Sequence, residues 1–254
     1  MIFTAATNDH HAAIQQRREL TLQVADGDTL ATAHSVGVVT DEQFETTTLA
    51  PKGGRADGAD EGLSSALVVV DMQNDFGHPD GSLFVNDAPA IVDLVNEQIE
   101  RVASAGGTVV LTQDWHPAST PHFIDDGGVW PTHCVAGTWG AAIIDGVDPN
   151  HRASSLVRKG TNGEDGYSAF AMREPGGTVD IPTGLAGLLR ERGITRVIVC
   201  GLATDVCVAA TGLSAAVAGF ETVVLLDASR PVSADADTAA RVVHELETAG
   251  ITLA

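Results

Sequence analysis

The chain has 254 residues, of which 44% are hydrophobic, and it carries a formal net charge of -20 at pH 7. This length and apolar content are enough for one α/β domain with a full core, with some chain left over. The strong negative charge argues against binding of nucleic acid or of an anionic membrane surface, because both require a basic footprint. The apolar runs are too short to span a bilayer, and the start lacks the pattern of a signal peptide. We therefore expect a soluble, cytoplasmic protein.

The first 64 residues differ in composition from the rest. They are rich in Thr, Asp and Gly, and residues 51–64 have the Gly-rich, charged composition of a linker. Residues 9–19 are compatible with a short helix, and a hairpin can follow. We expect residues 1–64 to form an N-terminal extension and linker, partly disordered, and residues 65–254 to form one folded domain.

From residue 66 onward, predicted strands and helices alternate. The strands are expected at residues 66–71, 108–112, 156–158, 196–200, 222–226 and 251–253, and the helices at residues 89–105, 184–192, 204–218 and 234–248. This alternation predicts a doubly wound, mainly parallel α/β sheet of about six strands with helices on both faces. Ser233 is the expected cap of the last helix, and Thr204 or Asp205 of the one before it.

Four reactive side chains stand at or just past the carboxyl ends of predicted strands, namely Asp71, Asp114, Lys159 and Cys207. Because sites on doubly wound sheets lie beyond the carboxyl ends of the strands, we expect these side chains to converge at one edge. Each has an ordinary alternative when taken alone: a turn cap for Asp71, and a lysine reaching solvent for Lys159.

Cys207 is the candidate nucleophile. It lies in the first turn of a predicted helix, where unpaired N–H groups favour a thiolate and can lower a thiol pKa into the range of about 3.5–7.5. A buried ammonium such as that of Lys159 would favour the thiolate further. Taken alone, a free cysteine is more often a small buried hydrophobe. Cys134 and Cys200 complete a set of three cysteines that is too small for a disulfide framework, so reduced thiols are expected.

A carboxylate and three histidines fall between residues 114 and 133: Asp114, His116, His122 and His133. One carboxylate with imidazole nitrogens is a ligand set suited to Zn²⁺, Fe²⁺ or Mn²⁺. Any one of these histidines is more often solvated than metal-bound. The four residues together predict a mononuclear site for one divalent metal ion.

Five segments, taken together and in this order, resemble nicotinamidases of the isochorismatase-like cysteine hydrolase superfamily: residues 68–76, 113–117, 130–134, 158–160 with 167–170, and 201–208. The triad of Asp, Lys and Cys is shared across much of that superfamily, whereas the Asp and histidine cluster points to its nicotinamidase branch. The spacing of His122 from Asp114 is similar to that of the actinobacterial pyrazinamidase type, in which this histidine is a direct ligand.

The resemblance implies a metal-dependent amidase that converts nicotinamide to nicotinate and ammonia, with pyrazinamide as a surrogate. Asp71 would take the proton of Cys207, Lys159 would favour the resulting ion pair, and the thiolate would attack the carboxamide carbon to form a thioester. The resemblance also implies an oxyanion hole made by the backbone N–H groups of Ala203 and Cys207, with a cis peptide between Leu202 and Ala203.

The resemblance further implies that the metal positions the substrate through its pyridine nitrogen. The expected substrate-binding residues are Phe76, Trp130, Tyr167, Leu202 and Ala203. For the three aromatic residues, ordinary core packing is an equal alternative.

Two other functions stay open. One is hydrolysis of another small amide or ureide, such as an N-carbamoyl compound. Metal content would discriminate this function, because relatives of that kind lack the histidine cluster. The other is non-catalytic binding of a metal or ligand. The expected partner is a small-molecule amide, and a homo-oligomer is left open. Residues 1–64 and 161–166 have no residue-by-residue match in the resemblance.

Overall fold

The structure is a computed structural model and describes residues 60–254. The helix and hairpin expected near the start, and most of the expected linker, lie outside the described residues. The division of the chain at residue 64 therefore stays a prediction.

Strands and helices alternate along the described part of the chain. In chain order they are α1 (Asp60–Leu63), β1 (Ser65–Val70), α2 (Asn74–Gly77), a 3-10 helix (Ala88–Ile91), α3 (Val92–Ser104), β2 (Thr108–Asp114), a 3-10 helix (Ile124–Asp126), β3 (Ser155–Lys159), β4 (Ala171–Met172), β5 (Ile181–Pro182), α4 (Leu185–Glu191), β6 (Arg196–Leu202), a π-helical turn (Thr204–Val208), α5 (Ala209–Val217), β7 (Glu221–Arg230), α6 (Ala236–Thr248) and β8 (Thr252–Leu253). Among residues 60–254, no helix has the length and apolar character needed to cross a bilayer.

Six strands form one sheet in the order β3-β2-β1-β6-β7-β8, and every pairing in it is parallel. β1 lies between β2 and β6, and all of its residues are buried. Burial on both faces explains why its sequence is a continuous apolar run rather than an alternating one. The predicted doubly wound parallel sheet is confirmed. A separate antiparallel pair, β4 with β5, was not predicted.

The two faces of the sheet carry separate cores. Val68 and Val70 of β1 pack in a cluster with buried side chains of α4, α5 and α6. Leu67 and Val69 point to the opposite face and pack in a second cluster with buried side chains of α3. Because successive strand residues face opposite sides, β1 is the shared wall of both cores.

Several helix boundaries differ from the sequence prediction. The helix expected at residues 89–105 is a 3-10 turn followed by α3, and the helix expected at residues 204–218 begins with a π-helical turn. α6 begins two residues later than expected, and its cap is Asp235 rather than Ser233. The Asp235 carboxylate accepts the N–H of Thr238 at 2.9 Å.

The prediction that Thr204 or Asp205 caps its own helix is also wrong, because no side-chain cap bond forms there. The Asp205 carboxylate instead accepts the backbone N–H groups of Val232 and Ser233, at 2.8 and 3.0 Å. These bonds tie the π-helical turn to the loop after β7.

Candidate active site

Four neighbouring strands deliver the reactive side chains to one edge of the sheet. Asp71 directly follows β1, Asp114 and Lys159 are the last residues of β2 and β3, and Cys207 lies in the π-helical turn after β6. These strands are adjacent and parallel, so their carboxyl ends meet. All four side chains are buried. The structure thus brings together the four residues that the strand pattern singled out.

Lys159 lies at the centre of this group. Its Nζ is 2.7 Å from Asp71 Oδ2, 2.7 Å from Asp114 Oδ1 and 3.6 Å from Cys207 Sγ. Nζ also donates to the carbonyl of Tyr167 at 3.3 Å. Burial alone would lower the pKa of Lys159, but the carboxylates of Asp114 and Asp71 raise its pKa well above the ordinary value. The side chain is therefore a buried ammonium, not a lysine reaching solvent.

Asp71 is held from two sides. Lys159 contacts one carboxylate oxygen, and the Thr112 hydroxyl donates to the other at 2.6 Å while accepting the Asp71 N–H at 3.1 Å. Burial raises the pKa of Asp71, the charge of Lys159 opposes that rise, and the charge of Asp114 adds to it. A carboxylate with a raised pKa beside a thiol is suited to accept a proton and later return it.

The pKa of the Cys207 thiol differs from the sequence prediction. Burial raises the pKa of its thiol well above the ordinary value, with Lys159 opposing the rise and Asp71 adding to it. The expected lowering at a helix start is wrong, because desolvation of the thiolate outweighs the favourable dipole and the neighbouring ammonium. The resting thiol is therefore protonated at neutral pH. Burial also raises the pKa of the other two thiols, that of Cys200 to about 12.

The three predicted histidines converge beside Asp114. One ring nitrogen from each of His116, His122 and His133 lies within 4.8 Å of the other two. Nε2 of His116 and Nε2 of His133 are 3.8 and 3.9 Å from Asp114 Oδ2. Burial lowers the pKa of His133 to about 4, so its imidazole is neutral at pH 7 and can offer a lone pair.

The surroundings of His116 indicate whether a metal ion fits this cluster. The residue is 3% exposed, and within residues 60–254 neither of its ring nitrogens has a hydrogen-bond partner. Leaving such a buried polar group unsatisfied costs about 1–3 kcal/mol. Three imidazole nitrogens and one carboxylate oxygen form a ligand set that divalent zinc, iron and manganese accept. The residues present therefore fit one such ion.

A cavity of about 370 Å³, including its open mouth, reaches Cys207 and His133. All five residues expected to bind substrate line it: Phe76, Trp130, Tyr167, Leu202 and Ala203. Trp130 Nε1 donates to the Tyr167 hydroxyl at 3.1 Å. The Phe76 ring centroid is 5.4 Å from that of His133. The expected cis peptide between Leu202 and Ala203 is present.

Some residues of the site were missed by sequence reasoning. Leu83, Val85, Val206 and Val232 also line the cavity. Val206 stands in the segment 201–208 that carries the resemblance, whereas the other three are isolated apolar residues that carry no sequence signal. Gln73 was identifiable, because it stands in the segment 68–76 that carries the resemblance. Its side chain accepts the N–H of Asp114 at 2.8 Å and donates to the carbonyl of Asp114 at 2.7 Å. This paired contact fixes the backbone of a candidate metal ligand.

Two curated relatives illustrate what the chain is similar to. The nicotinamidase of Acinetobacter baylyi is 37% identical over 185 residues, which cover 66% of this chain and 81% of that protein. The nicotinamidase/pyrazinamidase of Mycobacterium tuberculosis is 36% identical over 191 residues, which cover 74% of this chain and 97% of that protein.

Two solved structures of related enzymes are also similar to this chain. PnC1 from L. infantum, in complex with nicotinate, matches with a TM-score of 0.68 and 38% identity over 76% of this chain and 93% of its own. The pyrazinamidase of Pyrococcus horikoshii, in complex with zinc, matches with a TM-score of 0.66 and 37% identity over 75% of this chain and 98% of its own. The family model for the isochorismatase domain matches residues 65–252, which include the six-stranded sheet except for the last residue of β8. The chain is therefore a member of the isochorismatase domain family.

Proposed function

We propose that the protein is a metal-dependent cysteine amidase that hydrolyses nicotinamide to nicotinate and ammonia, and that also accepts pyrazinamide. The observation that carries this proposal is a single cavity whose lining includes the Cys207 thiol, two of the clustered histidines and aromatic side chains. A flat aromatic amide presents complementary features: a carbonyl carbon for the thiol, a ring nitrogen for an ion and a ring for the apolar walls. The related nicotinamidases support the same substrate class.

Asp71, Lys159 and Cys207 are the proposed catalytic residues of the acylation step. Because the resting thiol is protonated, Asp71 accepts its proton as Sγ forms a bond to the carboxamide carbon. The ammonium of Lys159, close to both groups, stabilises the negative charge while it moves from Asp71 to sulfur and the substrate oxygen. Asp71 then gives the proton to the amide nitrogen, the C–N bond breaks, and ammonia leaves a thioester on Cys207.

The same carboxylate serves the second half of the reaction. Asp71 takes a proton from water, the hydroxide oxygen bonds to the thioester carbon, and the C–S bond breaks. The sulfur regains a proton from Asp71, and the product acid loses its remaining proton to solvent as nicotinate. We assign the oxyanion in both halves to the backbone N–H groups of Ala203 and Cys207, and loss of one such donor commonly lowers kcat about 10²–10³-fold.

Asp114, His116, His122 and His133 are the proposed ligands of one divalent ion, with zinc, iron and manganese as candidates. When bound, this ion would supply a Lewis-acidic contact for the pyridine nitrogen and so orient the ring. Phe76, Trp130 and Tyr167 are proposed to wall the ring, with Leu202 and Ala203 beside the reacting carbon. We further infer action in the cytoplasm, without a nucleic-acid or membrane partner, which is consistent with the net charge of -20.

The test is an ammonia assay over a small amide panel, with metal analysis of the same protein sample. Nicotinamide, pyrazinamide and an N-carbamoyl amino acid are each supplied to the purified enzyme, to the chelated enzyme and to the enzyme after metal is restored. We expect nicotinamide to give the highest kcat/KM, chelation to abolish turnover and metal to restore it. A preference for the N-carbamoyl compound, or undiminished turnover of metal-free protein, would refute the proposal.

A further inference from the structure

We propose that Asp165 is a positioning residue of the metal site: it fixes the ring of His122, so that the segment 160–173 and the metal site form as one unit. The inference rests on the proposed site of Asp114, His116, His122 and His133. Asp165 belongs to the stretch between Lys159 and Tyr167 for which the sequence offered no match.

The contact that carries the inference joins Asp165 Oδ1 to His122 Nδ1 at 3.1 Å. The side chains involved are 18% and 6% exposed, respectively. A neutral imidazole binds a metal ion through one nitrogen, and the hydrogen bond made by the other nitrogen decides which one is free. Because Nδ1 donates to Asp165, Nε2 of His122 is the nitrogen left for an ion. His116 and His133 likewise turn Nε2 toward Asp114.

His133 and His122 are held by different groups. His133 Nδ1 donates to the carbonyl of Pro131 at 2.7 Å, a partner only two residues away in the same loop. His122 Nδ1 faces a carboxylate from a part of the chain more than forty residues later. A carboxylate partner makes the imidazole a stronger ligand than a neutral acceptor does. His122 is therefore the ligand whose strength depends on a second segment of the chain.

Asp165 is itself anchored through its backbone. It exchanges two hydrogen bonds with Arg173, whose N–H and carbonyl lie 2.5 and 2.6 Å from their partners on Asp165. Met172 beside Arg173 accepts the N–H of Gly160 through its sulfur at 3.2 Å. The segment 160–173 is thus closed on itself, and it begins directly after Lys159 and carries Tyr167. Metal binding through His122 is consequently linked to the order of a segment that also forms a wall of the cavity.

The experiment measures the apparent Kd for Zn²⁺ by competition with a chromogenic chelator, using the full chain in its metal-free form. Loss of an outer partner of a metal ligand commonly weakens metal affinity about 10–100-fold. We expect a loss of that size for Asp165→Ala and a smaller one for Asp165→Asn, whose amide oxygen still accepts a hydrogen bond. Glu164→Gln is the matched control, because it removes a charge from the adjacent residue, whose carboxylate contacts Asn162 instead. Its affinity should equal that of the wild type.

A double-mutant cycle separates positioning of His122 from general disorder of the segment. We expect His122→Ala to weaken Zn²⁺ binding, and Asp165→Ala to cause no further loss in the His122→Ala background. Additive losses, or wild-type affinity of Asp165→Ala while His122→Ala is weakened, would overturn the role of Asp165 and leave the metal site standing. If the wild type bound no Zn²⁺, or if His122→Ala bound it unchanged, the proposed ligand set itself would fail.

Discussion

Asp114 Oδ1 and Lys159 Nζ lie 2.7 Å apart, and this contact joins the proposed catalytic groups to the histidine cluster. The second oxygen of Asp114 faces His116 and His133, while Lys159 also contacts Asp71 at 2.7 Å. One buried ammonium therefore contacts two carboxylates to which we assign different roles. A substitution of Lys159 should therefore alter the surroundings of both the proposed nucleophile and the candidate metal site.

Replacing Lys159 by Met should destabilise the protein and stop turnover. The substitution leaves Asp71 and Asp114 buried without their shared cation, and removal of one partner of a buried ion pair typically costs about 3–5 kcal/mol of unfolding free energy. Turnover should fall by at least about 10²-fold, because the developing charge loses its stabilising ammonium. Urea unfolding and ammonia release measure the two effects.

Arg152→Met is the control for Lys159→Met. Arg152 pairs with Glu100 at 2.9 Å on the surface, with side chains 47% and 44% exposed. Solvent screens such a pair, so both stability and turnover should change little. Equal effects of the two substitutions would contradict the central place of Lys159.

Replacing Thr112 by Val should shift the acid limb of the pH profile of kcat/KM to higher pH. The Thr112 hydroxyl donates to Asp71 and lowers the pKa of that carboxyl, which burial raises. Asp71 must be ionised to accept the thiol proton, so kcat/KM rises as pH passes upward through its pKa. Without the hydroxyl the pKa of Asp71 rises further, and the acid limb shifts to higher pH. Thr222→Val removes a buried hydroxyl of β7 that donates to the nearby carbonyl of Phe220, and it should leave the limb in place.

Alkylation by iodoacetamide should modify Cys207 and increase with pH. Cys207 lines the cavity, whereas Cys134 and Cys200 are 0% exposed. Because burial raises the pKa of Cys207, the labelling rate should still be rising at about pH 8.5, the ordinary pKa of a cysteine thiol. Peptide mass spectrometry locates the label. A rate that levels off near neutral pH would show a resting thiolate and contradict this description.

The positions of the main site residues follow from the sequence because they depend on one topological rule. Asp71, Asp114 and Lys159 each end a recognisable apolar strand, and adjacent parallel strands place such residues at one edge. The histidine loop was identifiable by its unusual ligand density. Neither inference required knowledge of side-chain packing.

The remaining features depend on burial and on contacts between distant segments. The pKa of Cys207 was predicted in the wrong direction because the depth of its burial is a tertiary property. Thr112 looks like an ordinary strand residue until Asp71 lies beside it. Asp235 replaced Ser233 as a cap because candidate caps in neighbouring positions compete, and backbone geometry decides between them.

Ammonia release from nicotinamide by the wild type, Cys207→Ala and Cys200→Ala, with nicotinamide binding and metal content measured on the same samples, tests the central claim most directly. We predict that Cys200→Ala turns over like the wild type, because that thiol is buried in the core away from the cavity. Cys207→Ala should bind nicotinamide and metal but release no ammonia. Undiminished ammonia release by Cys207→Ala would contradict the assignment of Cys207 as the nucleophile.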